Sequence, residues 1–112
     1  MIDLYSKVVA NRTGLDDRLC MLMEECGELI QAANKIRREV NKYTDIEEPV
    51  DRVSGISRGH IIEEMVDVAS ICEQLEYILD ISEDEKNHIK AHKQERTLIE
   101  LGLISVQKER KL

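Results

Sequence analysis

The chain has 112 residues with no Phe and no Trp, so its core must consist of Leu, Ile, Val, Met and Ala, which favour helices over a sheet sandwich. Its net charge of -7 argues against a dedicated nucleic-acid binder, because neutralising phosphates requires a positive surface. Three cysteines without a CxxC pair are typical of a reducing compartment, and no apolar run approaches the roughly 18 residues of a membrane span. We therefore expect one domain over residues 1–112, located in the cytoplasm, with no membrane segment and no export signal.

Two helices are predicted in the N-terminal part of the chain. Asp3 to about Asn11 has the pattern of a short helix, and Thr13 with Asp16 three residues later resembles a capping box that opens a second helix. The second helix is long and ends near Lys42. Its apolar stripe, called the first seam, alternates steps of four and three residues. The first seam consists of Leu15, Leu19, Leu22, Cys26, Leu29, Ala33, Ile36 and Val40.

A long loop separates the second predicted helix from the third. Residues 43–58 contain the only proline of the chain and have no regular periodicity. The third helix is predicted from about Gly59 to Asp80 or Ile81, again with an apolar stripe in steps of four and three. This second seam consists of Ile61, Met65, Val68, Cys72, Leu75 and Leu79.

A fourth helix is predicted from the S-x-x-E capping box of Ser82 and Glu85 to about Leu101, where Gly102 ends it. Residues 103–112 are then a candidate disordered tail. Together these elements predict an all-α fold, a small bundle of about four helices in which the two long helices pack antiparallel.

Both long helices carry the same acidic pattern in the same register. A shift of 39 residues superimposes EExxE at 24–28 on EExxD at 63–67, and it superimposes the first seam from Leu22 onward on the second seam. The pattern consists of Glu24, Glu25 and Glu28 on one helix and Glu63, Glu64 and Asp67 on the other. Like charges at neighbouring helical positions cost a few tenths of a kcal/mol per pair, so we expect a compensating partner.

The position of these acids relative to the seams predicts a metal site. Glu25 and Glu64 lie about 60 to 70° from the centres of their seams, and the last acid of each motif lies about 120 to 130° away on the same side. An antiparallel pair would therefore bring Glu25, Glu28, Glu64 and Asp67 together. Hard oxygen ligands of this number and charge suit Mg²⁺, with Mn²⁺ as the alternative. The competing interpretation is a solvated charge run, which is the usual meaning of a single EExxE.

The paired motifs resemble the MazG-like nucleoside triphosphate pyrophosphohydrolases over about residues 15–96. That superfamily also includes dimeric dUTPases and phosphoribosyl-ATP pyrophosphohydrolase. The chain has Met65-Val66 where MazG proteins often have Leu-Gly. The resemblance implies that Mg²⁺ holds a triphosphate while water attacks, releasing pyrophosphate and a nucleoside monophosphate.

The resemblance also implies roles for individual residues. The implied metal ligands are Glu25, Glu28, Glu64 and Asp67. Glu24, with Glu25, is implied as a catalytic residue that organises the metal site or the attacking water. Basic side chains after the second motif are implied to bind phosphates, with a solvated helix face as the alternative. These candidates are Lys86, Lys90, Lys93 and Arg96. Tyr43 either stacks on the base of the substrate or is a partly buried structural tyrosine.

The sequence contains no Ser/His/Asp or Cys/His arrangement and no P-loop, which favours metal-dependent hydrolysis without a covalent nucleophile. The predicted activity is house-cleaning of the nucleotide pool. The alternatives are an enzyme specific for one pyrimidine deoxynucleotide and a non-catalytic helical protein whose acidic helices bind a basic partner. Apolar residues outside the seams exceed what one chain can cover, and this predicts a homodimer or homotetramer, as the resemblance also implies.

Overall fold

The computed structural model describes residues 2–42 and 52–106. Within these ranges it contains four α-helices and no strand, which confirms the all-α prediction. The helices are α1 (Leu4–Thr13), α2 (Leu15–Asn41), α3 (Gly55–Ile78) and α4 (Glu83–Glu100). In the part of the chain that is described, no helix is long and apolar enough to cross a bilayer.

The chain divides into two compact units. The first, Met1–Asp80, contains α1, α2 and α3, and the second, Ile81–Leu112, contains α4. The predicted acidic site belongs to the first unit.

α2 and α3 pack antiparallel, and a polar contact closes each end of the pair. At one end, Ser57 Oγ near the start of α3 donates a hydrogen bond of 2.6 Å to Glu39 Oε1 near the end of α2. At the other end, Arg18 Nη1 on α2 donates one of 2.8 Å to Gln74 Oε1 on α3. Ser57 and Gln74 are buried, so both contacts lie inside the interface. The predicted antiparallel pairing is confirmed.

On α2 the residues that join the two helices recur every seven positions, which is close to two helical turns and therefore one face. The pairing face consists of Arg18, Glu25, Ala32 and Glu39 on α2 and of Ser57, Glu64, Ile71 and Gln74 on α3. The packing is therefore centred on a stripe that contains charged residues.

The two apolar seams are covered unevenly. Leu19 is 38% exposed, Met65 56% and Leu79 51%, whereas Leu75 of the second seam is buried, as are Ala32 and Ile71 beside the seams. The polar contacts that connect α2 with α3 therefore lie on the acidic flank of each helix, next to its seam.

α1 packs mainly on α3. Asp3 caps its N-terminus by accepting a hydrogen bond from the Ser6 amide at 2.8 Å, and Ser6 Oγ donates to Glu73 Oε2 on α3. Gly14, with φ +88°, ends α1 and directly precedes α2. The predicted capping box at Thr13 is wrong, because Thr13 is the last residue of α1 and its hydroxyl donates back to the Val9 carbonyl.

α3 begins at Gly55, one turn earlier than predicted, because Ser54 caps it by accepting a hydrogen bond from the Ser57 amide. The predicted loop is therefore shorter at its C-terminal end, and residues 43–51 lie outside the described residues. The predicted capping box of Ser82 and Glu85 is confirmed at the start of α4. Gly102, with φ +75°, follows the end of α4, and residues 107–112 of the predicted tail lie outside the described residues.

Candidate functional site

Glu25 and Glu64 occupy the middle of the pairing face. Glu25 is seven residues from both Arg18 and Ala32, and Glu64 is seven residues from Ser57, so the contacts at the ends of the pair fix the rotation of both glutamates. Glu28, one turn beyond Glu25, lies on the acidic flank and is exposed. These contacts therefore hold Glu25 and Glu64 at the interface and leave Glu28 at its solvent-exposed edge.

Three carboxylates converge across the two helices. One oxygen each from Glu25, Glu28 and Glu64 can be chosen so that all three lie within 4.8 Å of one another. Glu25 and Glu64 are half-buried, whereas Glu28 opens to solvent. This spacing is short enough for a single cation to contact all three side chains.

Two of the oxygens in this cluster lack partners. Oε2 of Glu25 and Oε2 of Glu64 are buried, and no group in residues 2–42 or 52–106 forms a hydrogen bond with either atom. A buried carboxylate oxygen without a donor is costly, because the lost hydration is not replaced. A proton or a bound cation would offset this cost.

The pKa values of the two glutamates reflect the same environment. Burial, repulsion by Glu28 and a proton-sharing contact with Glu64 raise the pKa of Glu25 to about 7, with a smaller contribution from the charge of Asp67. Burial and repulsion by Glu28 also raise the pKa of Glu64. Without a cation, Glu25 is therefore the carboxyl group of the pair that is protonated below about pH 7, and it donates this proton toward Glu64.

The donor set fits a hard divalent cation. Three carboxylates from two rigid helices, two of them with unpartnered buried oxygens, match the preference of Mg²⁺ and Mn²⁺ for oxygen ligands. The outward opening at Glu28 leaves room for water or phosphate oxygens to complete the coordination. Glu25, Glu28 and Glu64 are thus the residues that would hold the ion.

The other predicted acids lie around this cluster. Asp67 is exposed and close enough to raise the pKa values of Glu25 and Glu64, but it is not one of the three residues whose oxygens lie within 4.8 Å. Glu24 and Glu63 are exposed. Glu63 lines the adjacent cleft, and Glu24 is seven residues before Gln31, which also lines it. Both are therefore on the solvent side of the cluster.

A cleft of about 470 Å³ extends from the cluster between α2 and α3. Glu28, Glu63 and Glu64 line its acidic part. Its other lining residues include the basic side chains Lys35, Arg38 and His60. Sequence reasoning missed these three residues as site residues. Their spacing from the acids could have identified two of them, because Lys35 is seven residues after Glu28 and His60 is four residues before Glu64, so each shares a helix face with that acid.

The basic residues predicted to bind phosphates lie on α4, in the second unit. Lys86 forms an ion pair with Glu83 at 3.4 Å, and Arg96 forms one with Glu100 at 3.7 Å. Lys90 and Lys93 are exposed, and Lys93 lines a shallow groove with Thr97 and Leu98. Their role in phosphate binding stays a prediction. Tyr43, the predicted base-stacking residue, lies outside the described residues.

The cysteines give no sign of a second chemistry. None of Cys20, Cys26 and Cys72 forms a disulfide, and none belongs to the cluster that could hold a metal.

No protein-family model, curated protein or solved structure matches the chain.

Proposed function

We propose that the protein is a metal-dependent nucleoside triphosphate pyrophosphohydrolase. It cleaves the bond between the α- and β-phosphates and uses Mg²⁺, or Mn²⁺ in its place. The observation that carries the proposal is the convergence of Glu25, Glu28 and Glu64 with two buried, unpartnered oxygens. A structural ion pair would have supplied a cationic side chain, and a solvated charge run would not bury its oxygens.

Hydrolysis at this bond requires a bound cation, a positioned water and a stabilised leaving group. The ion held by Glu25, Glu28 and Glu64 would supply Lewis-acid stabilisation of the phosphate oxygens and polarise the attacking water. Asp67, exposed next to these three, adds negative charge that favours cation binding. Because a bound cation favours the ionised form of Glu25, cation binding is expected to release the proton that Glu25 holds near pH 7.

The water is the nucleophile, and Glu24 is the candidate group that receives its proton. Glu24 is exposed on the face of α2 that also carries Gln31 of the cleft, and it stays free when the neighbouring glutamates bind the ion. As the water oxygen forms its bond to the α-phosphorus, the bond from that phosphorus to the bridging oxygen breaks. The bonding electron pair leaves with pyrophosphate, and the nucleoside monophosphate remains.

The proposed biological role is house-cleaning of the nucleotide pool in the cytoplasm. A pyrimidine deoxynucleotide as the single substrate is the alternative within the same superfamily. A non-catalytic protein that binds a basic partner through its acidic helices is the alternative from another class, and the net charge of -7 favours it. This last alternative does not require a divalent ion.

The proposed working unit is a dimer or tetramer. The seam residues Leu19, Met65 and Leu79 and the neighbouring Met23 and Ile30 are each exposed, which supports an interface that covers them. A second copy would present the same surface, so a symmetric interface could bury both. In that arrangement the acidic flank of each copy would remain open to substrate.

A substrate panel tests the proposal. The protein is incubated with each common NTP and dNTP, with and without Mg²⁺, and monophosphate is separated from diphosphate products. We expect monophosphate and pyrophosphate only with the metal, and loss of both in Glu25→Gln. Asp80→Asn is the matched control, because it removes one exposed charge at a left-handed residue whose φ of 53° Asn tolerates equally well. No product from any nucleotide, with Mg²⁺ or Mn²⁺ present, would contradict the proposal.

A further inference from the structure

The geometry points to a binding site for a polyphosphate chain at the basic end of the cleft, formed by Lys35, Arg38 and His60. The inference rests on the proposed function for its substrate class, a triphosphate. It assigns the β- and γ-phosphates to this basic end and the α-phosphate to the end beside Glu28 and Glu64. The basic residues that the sequence predicts to bind phosphates lie on α4 instead.

The three basic residues come from both helices of the pair. Lys35 and Arg38 follow Glu28 by two turns and nearly three turns on α2. His60 precedes Glu64 by one turn on α3, and because the helices run antiparallel, it lies at about the level of Lys35. Long side chains on a helix lean toward its N-terminus, which directs Lys35 and Arg38 toward the acidic cluster.

These side chains are available for a ligand. Among residues 2–42 and 52–106, no salt bridge joins Lys35, Arg38 or His60 to an acidic residue, although Lys35 lies near enough to Glu39 to lower the pKa of that glutamate. Lys35 and Arg38 carry like charges in one cleft, and neither has an ion-pair partner in the described part of the chain, so the two side chains repel each other. An anion resolves this repulsion, as a cation does for the glutamates.

The separation of charge within one cleft indicates a ligand with matching polarity. A phosphate chain bound to a divalent ion at one end and to Lys35, Arg38 and His60 at the other would be neutralised along its length. When the bond at the α-phosphorus breaks, the negative charge that develops on pyrophosphate lies beside these residues. Guanidinium and ammonium groups stabilise such charge by charge-assisted hydrogen bonds.

Calorimetric binding of inorganic tripolyphosphate, with and without millimolar Mg²⁺, tests this site without requiring turnover. The variants are the double variant Lys35→Gln/Arg38→Gln and the single variant His60→Gln. Arg37→Gln is the matched control, because Arg37 lies on α2 outside this cleft. The double variant Lys90→Gln/Lys93→Gln tests the site predicted on α4. Far-ultraviolet circular dichroism checks that every variant is folded.

We expect the Lys35/Arg38 double variant to weaken tripolyphosphate binding by about tenfold or more, since one charge-assisted hydrogen bond contributes enough for such a factor. His60→Gln should weaken it less, and the KM for the best nucleotide should rise in parallel. Arg37→Gln should stay within about twofold of the wild type. These shifts would support the site even if no nucleotide were hydrolysed, in which case the proposed function alone would fail.

Hydrolysis by the wild type combined with unchanged affinity and KM in the cleft variants would overturn the inference and leave the proposed function standing. A loss of affinity in the Lys90/Lys93 variant with none in the Lys35/Arg38 variant would overturn it as well and return phosphate binding to α4.

Discussion

Glu25 and Glu39 lie four turns apart on the same face of α2, and their surroundings shift their pKa values in opposite directions. Glu39 accepts hydrogen bonds from the Ser54 amide, Ser54 Oγ and Ser57 Oγ, which hold its pKa below the ordinary value. Glu25 meets Glu64 instead, has a buried oxygen without a partner, and its pKa is raised to about 7. Both carboxylates lie at the interface between α2 and α3.

The comparison distinguishes Glu39, a carboxylate that other protein groups stabilise, from Glu25, a carboxylate that we propose binds a ligand. At Glu39 the donors come from the start of α3, so the protein itself compensates for removing the charge from water. At Glu25 and Glu64 no described group compensates in this way, and we propose that a divalent cation does. We therefore propose that the Glu39 end fixes the helix pair and that the Glu25 region binds the cation.

The largest expected effect is on catalysis, where the variants of Glu25 and Glu39 should differ most. Glu25→Gln should lower kcat by about a hundredfold or more, the usual effect of removing a charged group that stabilises a transition state. It should also raise the melting temperature of the metal-free protein, because Gln can donate toward Glu64 without a buried charge. Glu39→Gln should lower the melting temperature and leave kcat nearly unchanged.

Steady-state kinetics and thermal melts of both variants, with Asp80→Asn as the charge control, measure this difference. If Glu39→Gln abolished catalysis and Glu25→Gln did not, the two roles would be reversed.

The second expected effect concerns the apolar side of the helix pair. Light scattering should give the wild type a mass of at least twice 12.9 kDa. Met65→Glu should shift the mass toward that of a single chain, because it places a charge in the exposed seam. Asn87→Glu, an exposed position on α4, provides the control. A wild-type mass of 12.9 kDa would show that the seam needs no second copy.

The third effect is a pH dependence of stability with opposite sign at the two carboxylates. The pKa of Glu25 is raised from 4.5 to about 7, so the folded state binds more protons than the unfolded state in this window. Metal-free stability should therefore fall as the pH rises from about 4.5 to about 7. The lowered pKa of Glu39 contributes stability that is present above 4.5 and is lost as the pH falls below it.

Melting temperatures measured from pH 4 to 8 should reveal both slopes. Glu25→Gln should remove the fall toward neutral pH, and Glu39→Gln should remove the loss at acid pH. Millimolar Mg²⁺ should reverse the fall toward neutral pH, because the ion binds the ionised cluster of the folded state. A wild-type profile that Glu25→Gln leaves unchanged would mean that Glu25 is not protonated in the metal-free protein.

The smallest effect is on the hydrogen bonds that hold Glu39. Ser57→Ala should destabilise the fold by about 1 kcal/mol, the usual net contribution of one hydrogen bond, because the buried hydroxyl donates to Glu39 at 2.6 Å. Ser105→Ala, at an exposed position after α4, should have no effect. Denaturant melts of the two variants compare them, and equal stability would remove Ser57 from the interface energetics.

The helices themselves were readable from the sequence because their signals are local. The four-three periodicity gave α2 and α3, and the Ser82/Glu85 capping box gave the start of α4. The start of α3 was missed because Ser54 lies next to a stretch without periodicity and its capping hydrogen bond has no apolar signature. The grouping of acids on α2 and α3 followed from their matched register, and three of the predicted ligands do converge.

The rotation of the pair could not be read from hydrophobicity. Leucine and methionine mark the seam, yet small Ala32 and the polar contacts of Arg18 and Glu39 determine the close approach of the helices. The seven-residue spacing of Arg18, Glu25, Ala32 and Glu39 is visible in the sequence. Only the contacts across the pair show that this face is the interface with α3. Lys35 was missed for the same reason, because its proximity to His60 depends on the antiparallel register.

The most direct test of the central claim, that Glu25 and Glu64 exchange a shared proton for a divalent cation, is a Mg²⁺ titration by calorimetry at pH 7 in two buffers of different ionisation enthalpy. The difference between the two heats gives the number of protons released on binding. With the pKa of Glu25 at about 7, we predict release of about half a proton per ion, and neither binding nor release in a Glu25→Gln/Glu64→Gln variant. Absence of Mg²⁺ and Mn²⁺ binding in the wild type, or binding that the double variant retains in full, would contradict the claim.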